Sequence, residues 1–233
     1  MKTTIAMALI SSSLLATPAI ARDVNIEITN LTNGVYFTPL LVATHNQDTD
    51  LFEVGAPASA SLQAMAEGGD ISGLILQVES NGGKYVANPA AGLLAPGATT
   101  SAELKLKHRH RNYLSITGML LPTNDGFVGL DALKLPKKHG TYTFYLNGYD
   151  AGTEANDEII NGGGAPGAAG IPADPGGNGG SGATGAAGAD HNATVHIHRG
   201  ILGDTDPVGG ISDLDSRVHR WTNPVARLVV TIK

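Results

Sequence analysis

Short segments in which apolar and polar residues alternate recur along much of the chain. This two-residue period is typical of strands that bury one face. The predicted strands are residues 24–29, 35–44, 101–107, 113–121, 141–146, 194–198 and 225–232. Pro39 interrupts the second run, which indicates an edge strand or a bulge there. About eight short strands with turn residues between them predict an all-β fold, an antiparallel β-sandwich, with a closed barrel as the alternative architecture.

Helical signals are confined to one region. Residues 58–67 place apolar side chains at helical spacing, with Pro57 before them and two glycines after them. Proline at the start and glycine at the end are the usual boundaries of a helix, so we predict a helix here. Residues 71–78 are an apolar run that fits a helix or a strand, and periodicity does not decide between them.

The N-terminal segment has the three parts of a secretory signal peptide. Lys2 supplies a positive charge, residues 5–15 are mostly apolar, and an Ala-Ile-Ala sequence ends at Ala21. The apolar part is shorter than the roughly 18 residues of a membrane span. We therefore expect residues 1–21 to be cleaved, leaving residues 22–233 as one exported domain without a transmembrane segment.

Composition excludes several classes of function. The chain has 233 residues, a formal charge of −6 and no cysteine. A mildly acidic chain without a basic run is a poor candidate for binding nucleic acid. Disulfides, thiolate metal sites and cysteine nucleophiles are ruled out. An exported protein without disulfides points to a bacterial source. We expect the protein in the periplasm or outside the cell.

A glycine-rich segment interrupts the strand pattern at residues 161–189. Twelve of its 29 residues are glycine, and alanine supplies much of the rest. The collagen-like triplets break after a few repeats, which argues against a triple helix. With few bulky apolar side chains, the segment cannot offset its ordering entropy by burial. We predict a flexible surface insertion between two strands, although a role in assembly stays open.

Two short acidic motifs follow predicted strands, at residues 122–127 and 149–154. Calcium takes six to eight oxygen ligands, and the loops at one end of a sandwich can bring such oxygens together. Asp150 and Glu154 are four residues apart with Gly152 between them, so both carboxylates can face one ion. Because Asp, Asn and Gly are also ordinary turn residues, this spacing leaves metal binding and turn formation both open.

Several motifs in the same order resemble the spondin N-terminal domain family, which occurs in animal matrix proteins and in bacterial exported proteins. The motifs are residues 50–55, 101–104, 122–130, 149–154 and 223–227. The resemblance covers nearly all of residues 22–233 except the glycine-rich insertion. It implies an eight-stranded antiparallel sandwich, similar to calcium-dependent membrane-binding domains, with one calcium ion at the loop end.

The resemblance also implies which residues hold that ion. The family's metal-binding acidic positions fall on Asp125, Asp150 and Glu154, the last being Asp in animal members. A further family glutamate falls on Lys105, and a cation there would weaken an ion site. Glu103, two residues earlier on the same strand face, offers a replacement carboxylate.

Two His-x-His pairs are further candidates for metal binding. Side chains at i and i+2 share one face of a strand, so His196 and His198 could chelate zinc or copper. Packing and hydrogen bonding on a polar face is the simpler interpretation. For His108 and His110, the neighbouring Lys107 and arginines indicate a solvated basic patch instead.

The chain shows no motif of a hydrolase elbow, phosphate-binding loop, dinucleotide site or zincin. We interpret Asp204, Asp206, Asp213 and Asp215 as turn and loop residues. The leading hypothesis is an exported, non-enzymatic, calcium-binding module of the adhesion type. Its partner would be a matrix, glycan or cell-surface ligand, and its oligomeric state is not readable. The alternatives are a secreted hydrolase using scattered carboxylates, an enzyme with a metal at His196 and His198, and a structural protein of an envelope or biofilm matrix.

Overall fold

The computed structural model describes residues 22–106, 112–177, 179–186 and 193–233. The predicted signal peptide at residues 1–21 lies outside this part of the chain, and so do His108 and His110. The described elements, in chain order, are β1 (Arg22–Asn30), β2 (Tyr36–Phe37), β3 (Leu41–His45), α1 (Ala60–Gly68), α2 (Ser72–Ser80), β4 (Lys84–Ala87), β5 (Thr99–Leu106), β6 (Tyr113–Leu121), β7 (Gly126–Lys134), β8 (Gly140–Asp150), β9 (His196–Ile197) and β10 (Ala226–Ile232).

Eight of these strands form one antiparallel path in the order β4-β3-β6-β7-β8-β10-β1-β5, with β2 beside β6 and β9 beside β8. Strand β8 joins the two halves of the path. Its residues 140–146 pair with β10, and its residues 147–150 pair with β7. The two end strands, β4 and β5, lie against each other, so the sheet folds over and nearly closes. The all-β, eight-stranded fold is confirmed, with features of both the sandwich and the barrel.

The alternation seen in the sequence places one face of each strand in the core. In β1, Val24, Ile26 and Ile28 are buried while the residues between them are more exposed, and β10 repeats this pattern. A fully buried aliphatic side chain of this size contributes about 1.5–3 kcal/mol. A second apolar cluster, which includes Leu62, Leu74 and Phe127, lies between the helices and the sheet.

The helix predicted near residue 60 is confirmed, and its ends have the expected caps. Ser59 accepts a hydrogen bond from the Leu62 N–H, and Gly69 ends α1 in the left-handed conformation. The ambiguous run at 71–78 is also helical, as α2. Of the two interpretations of Pro39, the bulge is confirmed and the edge strand is not. Strands β2 and β3 both pair with β6, and residues 38–40 lie opposite residues 118–119, so this side has one extra residue. Strand β3 itself runs between β4 and β6 in the interior of the sheet.

The glycine-rich insertion connects β8 to β9, and its described residues make specific contacts with the rest of the domain. Ile171 is fully buried and bridges to Ile160. The Gly167 N–H donates to Glu67 Oε2 in α1 over 2.6 Å. The predicted mobility of the segment stays a prediction. Within the described ranges, no helix combines the length and apolar character needed to cross a membrane.

Candidate metal centre

Strand pairing brings the two acidic motifs to the same end of the sheet. Asp125 immediately precedes β7, and Asp150 is the last residue of β8. Gly126 and Asp150 lie opposite each other in the β7–β8 ladder, and the Ala151 N–H donates to the Asp125 main-chain oxygen over 3.2 Å. The end of one strand and the start of the next therefore hold these two aspartates together.

Asp125 is completely buried, and its two carboxylate oxygens have different environments. Oδ2 accepts the N–H groups of Thr153 and Glu154 at 2.7 and 3.1 Å, and the Thr153 hydroxyl at 3.2 Å. Oδ1 is buried and has no hydrogen-bond partner among the described residues. One oxygen therefore fixes the second acidic motif against the first, and the other remains available.

Asp150 and Glu154 complete the acidic group. Asp150 is buried, and its oxygens accept the Gly152 N–H and the Asn156 side-chain amide, each at 2.8 Å. Glu154 Oε2 accepts the Gly170 N–H at 3.0 Å. Glu154 Oε1 is buried and, within the described chain, lacks a hydrogen-bond partner. Two of the three predicted ligands thus each carry one buried carboxylate oxygen without a partner.

The electrostatic environment disfavours negative charge on these carboxyls. Burial, together with the charge of Asp150, raises the pKa of Asp125 to about 6, although the N–H groups of Thr153 and Glu154 act in the opposite direction. Burial, followed by the charges of Glu67 and Asp125, raises the pKa of Glu154 to about 7. A cation at this site would relieve both effects, since it compensates the charge that burial opposes.

A buried polar network beside this group was not predicted from the sequence. The Asn124 side-chain amide donates to Asp157 Oδ1 at 2.8 Å, and its oxygen accepts the Glu158 N–H at 3.2 Å. The Glu158 carboxylate, 3% exposed, accepts the N–H groups of residues 202–203 and the Ser212 hydroxyl. Its partners lie more than 40 positions away along the chain, so no local spacing indicates them.

Glu67 is another buried acid that the sequence did not single out. It lies in α1 and accepts the Gln63 side-chain amide at 2.8 Å as well as the Gly167 N–H. Since Gly170 donates to Glu154, the glycine-rich segment contacts two carboxylates in succession. It thereby covers one side of the acidic group.

Lys105 and Glu103 are not part of the loop cluster. Both are exposed on the outer face of β5, the last strand of the path. Lys105 pairs with Asp23 at the end of the sheet where β8 begins. Asp150 lies at the far end of β8, ten residues on, which corresponds to roughly 33 Å of strand. The charge of Lys105 therefore does not act directly on this site.

His196 and His198 are engaged separately. His196 Nδ1 contacts the Thr194 carbonyl at 2.9 Å and lies 3.8 Å from Asp150 Oδ1. His198 is buried, accepts the Gly200 N–H at Nδ1 and packs on the Trp221 ring with centroids 4.9 Å apart. These contacts support the interpretation of packing and hydrogen bonding.

Asp204, Asp206 and Asp215 accept main-chain N–H groups within their own turns and loops, as the sequence predicts. Asp213 differs, because it accepts main-chain N–H groups from the glycine-rich segment, a contact that the sequence did not indicate. No group of three or more His, Asp and Glu side chains in the described ranges is arranged to hold a metal ion as it stands.

Comparison with known proteins identifies the family of this chain. The sequence profile of the Spondin_N family matches residues 29–158, which include both acidic motifs and strands β2 to β8. Spondin-2 of Homo sapiens is 30% identical over 127 residues, covering 51% of this chain and 38% of the human protein. Spondin-2 of Rattus norvegicus is 32% identical over 103 residues, covering 42% of this chain and 31% of the rat protein. The match thus spans less than two fifths of each relative's length. Since the profile covers more than half of the sequence, the chain belongs to the Spondin_N family.

Proposed function

We propose that this domain is an exported, non-enzymatic binding module whose loop end is organised by one calcium ion. Asp125, Asp150 and Glu154 would hold that ion. The observation that carries the proposal is the pair of buried carboxylate oxygens, Asp125 Oδ1 and Glu154 Oε1, that lack a hydrogen-bond partner in the described chain. An unpaired polar atom at such a position is costly, and a cation is the partner that a carboxylate oxygen accepts most readily.

The donor set fits calcium by its chemistry. Calcium is a hard cation that binds carboxylate, carbonyl, amide and water oxygens, usually six to eight of them. Three carboxylates supply negative charge, and the main-chain carbonyls and waters of this loop end would supply the remaining ligands. Within the described ranges, the cationic candidate beside the group is His196, 3.8 Å from Asp150 Oδ1, and it carries charge only when protonated. A bound cation would therefore add compensating charge to the three carboxylates.

An ion at this position would tie β7 to the loop after β8. Asp125 Oδ2 already holds the main chain at Thr153 and Glu154. An ion on Oδ1 would add a second connection between the same segments, so the loop end becomes more ordered. Ile197, 47% exposed, pairs with Tyr149 beside Asp150, and Val54, 54% exposed, precedes Gly55, whose N–H donates to the Val195 carbonyl near the start of β9. We propose that the ordered end presents this surface to a matrix, glycan or cell-surface partner.

The test is thermal unfolding of the purified protein in chelator and with added calcium. Calcium at about a hundred times its dissociation constant should stabilise the wild type by about 2.7 kcal/mol. Glu154→Gln keeps an oxygen acceptor but removes the charge, so it should lose this stabilisation. Asp48→Asn, at an exposed position away from the site, is the control and should respond like the wild type. An equal calcium response in all three proteins, or none in the wild type, would overturn the proposal.

Export is proposed from the signal-type sequence at residues 1–21. Expression with that segment in a bacterial host, followed by cell fractionation and N-terminal sequencing, should give a processed protein that begins at Arg22. Recovery of an uncleaved chain from the cytoplasmic fraction alone would contradict export, whereas the calcium experiment would be unaffected.

A further inference from the structure

A groove of about 420 Å³ lies between the glycine-rich segment and the C-terminal loops. Its lining includes Tyr36, Asp174, Gly176, Arg217 and His219. None of the three candidate calcium ligands lines it. Most of its lining residues also lie beyond residues 29–158, the part of the chain that matches the family profile. The groove is therefore a feature of this chain's own insertion and C-terminal loops, and it has the size of a site for a small ligand or a side chain.

Asp174 is the unexplained group in this groove. Its side chain is 4% exposed, and Oδ1 has no hydrogen-bond partner among the described residues. His219 Nε2 lies 3.6 Å from this oxygen, which is beyond hydrogen-bond distance. A buried carboxylate oxygen without a partner is costly to a folded protein, so it marks a position that a ligand can complete.

His219 does not complete the environment of Asp174. Its Nδ1 accepts the Asp215 N–H at 3.1 Å, and its Nε2 lies 3.6 Å from Asp174 Oδ1, beyond hydrogen-bond distance. The Asp174 oxygen therefore gains no hydrogen bond from the imidazole beside it.

The rest of the groove is also acidic. Among the described residues that line it, Arg217 is the one Lys or Arg side chain, and its guanidinium is already bound to Asp215 at 2.6 Å. The acidic lining residues are Asp174, Asp204, Asp206, Asp213 and Asp215. This excess of negative charge attracts a cation, and the concave shape concentrates the field.

The dimensions favour an organic cation over a metal ion. The groove, about 420 Å³, is far larger than the volume that a single bare ion occupies. The Tyr36 ring supplies an aromatic wall, and Gly176 beside it adds no side chain to the groove. Alkyl guanidinium and ammonium groups bind carboxylates and aromatic faces together.

We propose that this groove binds an alkyl guanidinium or ammonium group, of the kind carried by arginine and lysine side chains and by free amines, with Asp174 as its buried anionic partner and Tyr36 as its aromatic wall. This inference does not depend on calcium at the loop end. The calcium experiment and the groove experiment can therefore fail separately.

The experiment is isothermal titration calorimetry of the full protein at low ionic strength. The two probes are agmatine, which is decarboxylated arginine and carries a guanidinium and an ammonium group, and a tetra-arginine peptide. The wild type should bind at least one of the two saturably. Asp174→Asn keeps the shape of the side chain and should weaken binding at least about tenfold, because a charge-assisted hydrogen bond is lost. Asp48→Asn removes the same charge at a distant exposed position and should bind like the wild type.

A second variant keeps the test decisive if Asp174→Asn unfolds the protein. A Cβ at Gly176 would meet only the Tyr36 ring, at ordinary contact distance of 3.5 Å or more. Gly176→Leu should therefore fold and block the groove without changing its charge. Much tighter binding of the peptide than of agmatine would identify a polypeptide as the source, and equal affinity would identify a free amine. Absence of saturable binding by both probes, or equal weakening by Asp48→Asn, would overturn the proposal.

Discussion

The stability of the calcium-free protein should fall as the pH rises from 5 to 8. The raised pKa values of Asp125, about 6, and of Glu154, about 7, mean that both carboxyls bind protons more tightly in the folded state than in the unfolded state. A group of this kind contributes stability that is fully present below its unfolded pKa. That contribution is lost as the pH rises through the folded pKa. The two groups thus place the loss between about pH 4 and pH 7, with more than half of it above pH 5.

The magnitude follows from the size of the shifts. One pKa unit corresponds to about 1.4 kcal/mol, so between pH 5 and pH 8 the linkage gives about 1 kcal/mol for Asp125 and about 2 to 3 kcal/mol for Glu154. Glu154 is only half-buried, and solvent screening reduces its contribution by about half. We expect a combined loss of roughly 2 to 3 kcal/mol. Asp215, whose pKa is lowered to about 2 by its bonds to Arg217, changes stability only at more acidic pH.

The assay is urea denaturation in chelator at pH 5, 6.5 and 8, with Glu154→Gln beside the wild type. The variant cancels contributions from groups distant from the site, since their surroundings are the same in both proteins. At pH 8 the variant should be more stable than the wild type by about 1 kcal/mol, and at pH 5 the difference should shrink toward zero. A difference that does not change with pH, or a wild type that gains on the variant as the pH rises, would refute the reasoning.

Three further substitutions test the packing around the site. Glu158→Ala removes the shared acceptor of two partly buried N–H groups and of the buried Ser212 hydroxyl, and should lower the free energy of unfolding by about 2–3 kcal/mol. A loss below about 1 kcal/mol in urea denaturation would contradict that role. Gly68→Ala would place a Cβ against the Gly164 carbonyl and push the glycine-rich segment away from α1. Limited proteolysis between residues 161 and 189 should therefore become faster, and an unchanged cleavage rate would show that this contact does not hold the segment. Ile116→Ala, at a fully buried position in β6, should cost about 2–5 kcal/mol by the same denaturation assay, and a near-neutral effect would place that side chain outside the core.

The strands that the sequence predicts well are those with one solvent-exposed face and one buried face. Strands β1, β5 and β10 alternate because their outer side chains meet solvent. Strand β7 was missed because it begins directly after the turn residues Asn124 and Asp125, and its first four residues are all buried. The α2 segment was ambiguous for a related reason: a short apolar run has the same appearance in either structure until its packing partners are known.

The candidate site divides in a similar way. Asp125 and Asp150 were brought together correctly because adjacent antiparallel strands place the end of one beside the start of the next. The acids that surround them, Glu67, Asp157 and Glu158, were not predicted. Their partners come from a helix, from the glycine-rich segment and from the C-terminal loops, and such contacts depend on the whole fold rather than on local spacing. The expectation that the charge of Lys105 weakens the ion site has the same origin, since only the strand register shows that Lys105 lies at the opposite end of the sheet.

The glycine-rich segment shows how composition alone can conceal a structural role. Gly167 and Gly170 both have positive φ values, 81° and 114°, a backbone conformation that other residues rarely adopt. In that conformation the N–H of Gly167 points at Glu67 and the N–H of Gly170 points at Glu154. A segment that served only as a spacer would have no need to direct two successive donors at buried carboxylates. These two glycines therefore have a structural role, because they allow the main chain of the segment to donate hydrogen bonds to carboxylates at the loop end.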